Sequence, residues 1–302
     1  MRLKNIDKYP PWVQDALSND SYDAGAIPSL SATGLLDSPR IKKLRSEHIE
    51  TVEEDASRRI AALIGSGVHM LAEQHCKKLG WIVEQRFYAS IDVGGEEKII
   101  SGQIDAIQPI NDKDVVIWDW KTITSWKAQS GMENYVQQGN IYAFLLRKNG
   151  YNPIKFKIGA WLKDWRENQA KDKPDYPQLP FMTYEYDLWD DDACESYVNE
   201  RARLHFGDEE YKCTDEERWV NQPKWEAIKN GNKTPTKLFD SMEEGLDWIK
   251  SGIHPKLKNS LQSDWRVVRK PKIYKRCEDN WCGVAEYCSQ HQEYLKQKQE
   301  EL

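Results

Sequence analysis

The sequence predicts an α/β domain with a mixed central sheet flanked by helices, and three observations carry that prediction. Segments of helical and strand character follow one another in the order helix, hairpin, strand, helix, strand. Hydrophobic residues make up 39% of the 302, ample for a packed core. A short apolar run, VVIWDWKT, closing on Asp119, Trp120 and Lys121, has the character of a buried strand.

The first helix is expected over residues 46–79. There Ile49, Val52, Ala56, Ile60, Leu63, Ile64, Val68 and Leu71 recur at helical spacing, with a kink or break near Gly65 and Gly67. Strand-like segments near 81–91 and 97–108 are joined by DVGGEE, a turn signal, and predict a hairpin. The 115–121 strand follows. Residues 133–149 have helical spacing and stop at Gly150, a C-cap residue. A strand is expected at 154–162, a weaker one at 181–188, and a helix at 190–206. Beyond residue 207 the chain turns aromatic and charged, with little strand pattern and with cysteines near its end. This predicts two domains, 1–206 and 207–302.

Composition narrows the functional classes. The formal net charge of -6 argues against a protein that coats nucleic acid by bulk charge, but not against a local basic track. Residues 255–276 hold eight Lys and Arg against one acid, Asp264, and RIKKLR at 40–45 forms a smaller run. Either run reads as a nucleic-acid contact or as a solvated face. There is no secretory h-region at the N-terminus, no run of membrane-spanning length and no Walker A motif. A cytoplasmic protein is the expectation. Three of the six cysteines crowd into 277–288, which in such a protein suggests metal more than disulfides.

Alternate side chains of a strand share a face, so Asp119 and Lys121 point the same way while Trp120 points into the opposite layer. A buried ion pair is a poor source of stability, which favours a functional reason for this one. Asp105 lies just upstream in SGQIDAI. An acid on one strand and acid-x-Lys on the next suit a Mg²⁺- or Mn²⁺-dependent phosphodiesterase, in which carboxylates hold a hard cation and the lysine attends the attacking water. The Trp120 carbonyl is a further group within possible reach of the cation.

With these pieces in place the chain resembles the RecB-like branch of the PD-(D/E)xK nucleases, from about residue 30 to 165. The resemblance is carried by GSGVH with His69, by Gly102 to Asp105, by Asp119-x-Lys121, and by Gln138 with Tyr142 on the following helix. It implies a restriction-endonuclease-like core. His69, Asp105 and Asp119 would bind the metal, Lys121 would be catalytic, and Gln138 and Tyr142 would position Lys121 or the DNA. Gln137 is an alternative to Gln138 by sequence alone. Glu73 reads either as a support for His69 or as half of a surface ion pair. The C-terminal cysteines resemble the iron–sulfur subset of the branch, but the spacing Cys277-x4-Cys282-x5-Cys288 departs from its usual pattern and no cysteine precedes His69. Cys213 resembles the fourth partner in nucleases from bacteriophage genomes. The implied cofactor is a [4Fe–4S] cluster or, alternatively, Zn²⁺, stapling a C-terminal subdomain.

The expected function is a metal-dependent DNA exonuclease in phage or bacterial DNA processing or recombination, acting on linear or single-stranded DNA with a possible recombination or replication partner. The alternatives are a DNA-end or single-strand binding subunit and a CRISPR-adaptation-type nuclease active only in a complex.

Overall fold

The computed structural model describes residues 2–4, 6–18, 27–207, 209–258 and 260–300. The chain divides into two compact units, Met1–Tyr211 and Lys212–Leu302. No helix among the described residues is long and apolar enough to cross a membrane.

The first unit is built on a six-stranded mixed sheet. Its strands are β1 (Leu30–Ser31), β2 (Ile82–Val93), β3 (Glu96–Pro109), β4 (Asp114–Ile123), β5 (Asn152–Leu162) and β6 (Phe181–Tyr186). The hairpin β2–β3 pairs from Val93↔Glu96 to Ile82↔Ile107, turning at Gly94 and Gly95, whose positive φ glycine adopts without strain. β3 and β4 are antiparallel, β4 and β5 parallel, and β5 and β6 antiparallel. The parallel step is bridged by a helix, α2 (Glu133–Lys148); α1 (Ile60–Lys78) comes between β1 and the hairpin, and α3 (Asp191–Phe206) follows the last strand.

Strand parity assigns the two faces. Val115, Ile117 and Ile123 of β4 join the main core with Ile141 and Leu145 of α2 and Val198 and Ala202 of α3. Trp120 joins Cys76 of α1 in a separate cluster on which Trp118, Trp81 and Trp161 pack. An aromatic ladder thus backs the Asp119 strand, with ring centroids 5.3 Å apart for Trp118–Trp120 and 5.8 Å for Trp120–Trp161.

The other edge of β3 is shared by two strands. β1 pairs with it at Ile100 and Ser101, and β4 pairs with it only from Ala106↔Trp118 to Pro109↔Val115. Between them Gly102 to Asp105 have no strand partner on that side, while β4 continues along β5 to Ile123↔Leu162. The sheet therefore opens at one place, and the site lies there.

Two elements differ from the sequence expectation. The predicted 46–79 helix is two helices, Pro39–Glu47 and Ile60–Lys78, separated by a turn, the short strand Glu53–Asp55 and a 3₁₀ turn. Val52 and Ala56 are buried in that connection, outside either α-helix, so their apolar spacing came from burial rather than α-helical phase. Helix α1 then runs unbroken through Gly65 and Gly67. The second unit holds more strand than its composition suggested: β7 (Lys224–Lys229), β8 (Lys237–Phe239) and β9 (Trp265–Lys270) form an antiparallel sheet in the order β8-β7-β9. Helix α4 (Met242–Ser251) covers it through Ile249 beside Trp265 and Phe239.

The glycines separate packing from conformation. A Cβ at Gly139 of α2 would lie 2.5 Å from the Phe156 ring, whereas one at Gly67 of α1 would meet nothing within 4 Å. Gly139→Ala is expected to destabilise the fold by about 1–3 kcal/mol through overpacking. Gly67→Ala should stabilise it by up to about 1 kcal/mol from helix propensity. Urea midpoints that shift in opposite directions would bear this out.

Candidate metal centre

Where β3 and β4 part, the backbone of Trp120 loses its sheet partner on one side, and side chains replace it. Its N–H donates to Asp105 Oδ2 at 2.7 Å. Its carbonyl is 3.0 Å from His69 Nε2, and since a carbonyl only accepts, Nε2 carries the proton. The opposite ring nitrogen, Nδ1, then faces Asp105 Oδ2 at 3.7 Å and Glu84 Oε1 at 3.8 Å. One ligand atom from each of His69, Glu84 and Asp105 falls within 4.8 Å of the others. Fixing one imidazole nitrogen on a backbone carbonyl aims the other at a cation.

Glu84 was not among the residues singled out from sequence. Its backbone has φ 48, a left-handed conformation unusual for a glutamate. It stands opposite Asp105, between the paired positions Val83↔Ala106 and Gln85↔Ile104. Alternation slips at this point in both strands. Ile82 and Phe87 reach the same core although five residues apart, as do Ile104 and Ile107, three apart. The slip turns Glu84 and Asp105 towards the opening. Gln103 Nε2 donates to Glu84 Oε2 at 2.8 Å, and Arg86 Nη2 donates to Gln103 Oε1 at 3.0 Å, so the carboxylate is held from behind.

Asp119 is 0% exposed. Neither of its oxygens accepts a well-directed hydrogen bond; its compensating contact is the Lys121 ammonium, 2.5 Å from Oδ2. Lys121 also lies over the Tyr135 ring at 5.1 Å from the centroid. Tyr135 of α2 is a second residue that sequence reading passed over. Gln138 Nε2 donates to Tyr142 Oη at 2.7 Å, and both are buried. A cleft of about 260 Å³ is lined by His69, Glu84, Asp105, Lys121, Gln138 and Tyr142, among others. The structure thus gathers these residues, with Asp119 beneath Lys121, at one opening. Glu73 instead pairs with Lys77, one turn along the same helix, at 2.5 Å.

The electrostatics follow from burial and crowding. Burial and the negative charge of Asp119 push the Asp105 carboxyl up to about 7. Burial works to lower the His69 imidazole, but Glu84, Asp105 and Asp119 outweigh it and hold it above its usual value. Lys121 is likewise disfavoured by burial yet raised by Asp119 and Asp105, so it stays an ammonium. Three carboxylates face one fixed cation and one imidazole. The orphaned Asp119 oxygens and the convergent N and O donors fit a divalent cation, which His69, Glu84, Asp105 and Asp119 would hold.

Cys213, Cys277, Cys282 and Cys288 lie in the second unit, and Cys76 and Cys194 are buried in the first. None of the six forms a disulfide. Cys282 and Cys288 are buried, and Cys213 and Cys277 half-buried. Burial pushes the Cys277 and Cys282 thiols up, and the two interact with each other and with Cys288. Gln290 grips the Cys213 backbone twice, accepting from its N–H and donating to its carbonyl, both at 2.9 Å. Cys213 is thereby tied two residues from Cys288. Unlike the His69 group, the four cysteines do not bring three ligand atoms within 4.8 Å of one another. The basic track is partly neutralised: Lys270 pairs with Glu226 and Lys272 with Asp215, while Lys256, Lys258, Arg266, Arg269 and Lys275 are exposed. Asn259 of that segment lies outside the described residues. In the 40–45 run, Arg40 is buried and bonded to Glu210 and to the Tyr211 carbonyl.

A family model for the PD-(D/E)XK nuclease superfamily matches residues 36–289. The chain belongs to the PD-(D/E)XK nuclease superfamily. Among solved structures, that titled "Crystal structure of SSO0001" is similar with a TM-score of 0.50 and 18% identity, over 68% of this chain and 89% of that one. This likeness is one of fold. An alkaline exonuclease (LHK-Exo) from Laribacter hongkongensis gives a TM-score of 0.32 and 11% identity, over 58% of this chain and 87% of that one. No curated protein matches the sequence significantly. Nucleases of this superfamily use divalent metals, in keeping with the donor set at the sheet opening.

A metal must displace protons from its ligands, so the raised Asp105 fixes the sign of the pH effect. Below about 7 the carboxyl is protonated and competes with the cation; above it the carboxylate is free to bind. Mn²⁺ affinity measured by calorimetry should rise with pH through that value and then level off. An affinity unchanged between about pH 5.5 and about pH 8 would contradict the assignment of Asp105 as a ligand.

Proposed function

We propose that the protein is a metal-dependent deoxyribonuclease that works from DNA ends. The observation that carries the chemistry is the buried Asp119 carboxylate, unsatisfied except by Lys121, beside His69, Glu84 and Asp105. His69, Glu84, Asp105 and Asp119 would hold a divalent cation, which would supply a lowered water pKa and charge stabilisation at the phosphate. Lys121 stays protonated, offers its N–H groups to the incoming water and the phosphate oxygens, and offsets charge that builds in the transition state. Tyr135 and Asp119 fix the ammonium from two sides. The Gln138–Tyr142 pair holds two polar groups at the cleft wall, suited to positioning Lys121 or the DNA backbone.

The assignment to ends rests on the RecB-like motif order and on the lack of a recognisable sequence-reading module such as a helix-turn-helix. Exposed Lys256, Lys258, Arg266, Arg269 and Lys275 would contact phosphates, which carry no base information, so cleavage should tolerate any sequence. Phage or bacterial DNA processing is the setting this reading suggests.

The four cysteines would hold a [4Fe–4S] cluster rather than zinc. Tetrahedral zinc with Zn–S bonds near 2.3 Å needs sulfurs about 3.8 Å apart, whereas a cluster spreads its thiolates over separate irons. The likeness of the cysteine pattern to the iron–sulfur subset, the mutual influence of Cys277, Cys282 and Cys288, and the Gln290 clamp on Cys213 support this choice.

End-labelled linear DNA and covalently closed circles, incubated with Mn²⁺, test the activity. Linear DNA should be degraded and circles largely spared. Asp119→Asn, which keeps shape and removes charge, and Lys121→Ala should each lower the rate by at least about a hundredfold while DNA binding survives. Wild-type rates in either variant would remove the proposed chemistry. Cutting of closed circles at one sequence would remove only the assignment to ends.

A further inference from the structure

We infer that Arg218 is the built-in counter-charge of the four-cysteine centre, its guanidinium set against the thiolates to stabilise an anionic cluster. The inference rests on reading Cys213, Cys277, Cys282 and Cys288 as cluster ligands.

Arg218 is only 7% exposed. A guanidinium does not lose its proton in a protein, so the charge itself is buried. Its Nη2 is buried with no hydrogen-bond partner. No nearby carboxylate bonds to it: Asp215 acts on Arg218 through charge alone, its oxygens being held by other groups. Asp215 is bound by Lys272 at 2.8 Å and by the Tyr274 hydroxyl at 3.0 Å. Glu278 accepts from Tyr294 at 2.8 Å and from Lys298. What Arg218 does stand beside is sulfur: its guanidinium charge acts on the Cys277 thiol, and its backbone is bonded to the residue before Cys277. A buried cation without a carboxylate partner is costly, and a neutral thiol does not offset it. Thiolates ligating a cluster would.

The surroundings hold the guanidinium in this place. Its central carbon lies 3.3 Å from the Tyr274 ring centroid and 5.5 Å from that of Tyr294. The face is thus covered by aromatic rings, leaving the edge, with its N–H groups, as the functional side. The backbone is stitched to the cysteine loop. The Arg218 carbonyl accepts from Arg276 N at 3.2 Å, one residue before Cys277, and the Arg276 carbonyl accepts from Cys282 N at 2.7 Å. Cys213, five residues before Arg218, is clamped by Gln290, two residues after Cys288. The segment that supplies the odd cysteine therefore also supplies the cation.

Reduction adds negative charge to a cluster, so a fixed cation favours the reduced form. The test uses full-length protein purified without oxygen. Wild type, Arg218→Gln and Arg218→Lys are compared for iron per chain, visible absorption and midpoint potential. Arg218→Gln should make reduction at least about tenfold less favourable, about 59 mV more negative for a one-electron couple, or should lose iron. Arg218→Lys, which keeps the charge, should retain the iron and recover most of the potential. Unchanged iron and potential in Arg218→Gln would overturn the inference and leave Arg218 a packing residue. So would a lysine variant as impaired as the glutamine one, since shape rather than charge would then matter. Wild-type protein with no iron would instead remove the cluster reading, and the inference with it.

Discussion

The two backbone groups of Trp120, its N–H and its carbonyl, join the parts of the candidate metal centre. Because β3 pairs with β4 only as far as Ala106↔Trp118, the backbone of Trp120 has no strand beside it on that edge. Buried peptide groups must find partners. Here the N–H finds Asp105 and the carbonyl finds His69. One residue's unpaired backbone N–H and carbonyl thereby fix a carboxylate from β3 and an imidazole from α1 against a strand whose own side chains supply Asp119 and Lys121. The Trp120 ring, turned to the opposite layer, is locked among Trp118 and Trp161, so the peptide has a rigid backing. Loss of that packing would loosen three site residues at once.

A good part of this arrangement was legible in the sequence because it follows from periods of two and four. The two-residue strand repeat places Asp119 and Lys121 on one face. The four-residue helical repeat stacks Gln138 on Tyr142, and Gly150 marks the end of that helix with a positive φ. Glu84 was not legible. Its place depends on a slip of alternation in two strands at once and on a left-handed backbone that no glycine announces. Tyr135 was missed for a different reason. Its partner Lys121 is on another element, and a tyrosine one turn before Gln138 reads as ordinary helix surface. The connection around Val52 and Ala56 shows the converse error, where buried side chains imitate helical spacing without a helix. In the second unit the strands alternate too briefly, around charged residues such as Lys224, Glu226 and Arg266, for a period to stand out.

Each unit contains a buried charge that its own side chains leave incompletely answered. In the first it is negative: Asp119, with Asp105 beside it and one ammonium in contact. In the second it is positive: Arg218, with no ion pair to a carboxylate and with the Cys277 thiol beside it. Proteins rarely bury charge in this way for stability. A cation at the first place and a thiolate cluster at the second would each complete the electrostatics.

The most direct measurement of the central claim is the position of a bound ion. Crystals of the protein grown or soaked with Mn²⁺ and recorded at the manganese absorption edge would locate it by anomalous scattering. The account predicts a peak at the sheet opening, about 2.0–2.3 Å from His69 Nδ1 and from oxygens of Asp105 and Asp119, with Glu84 in or next to the coordination sphere. A peak elsewhere, with these four side chains bonded only to one another, would contradict it.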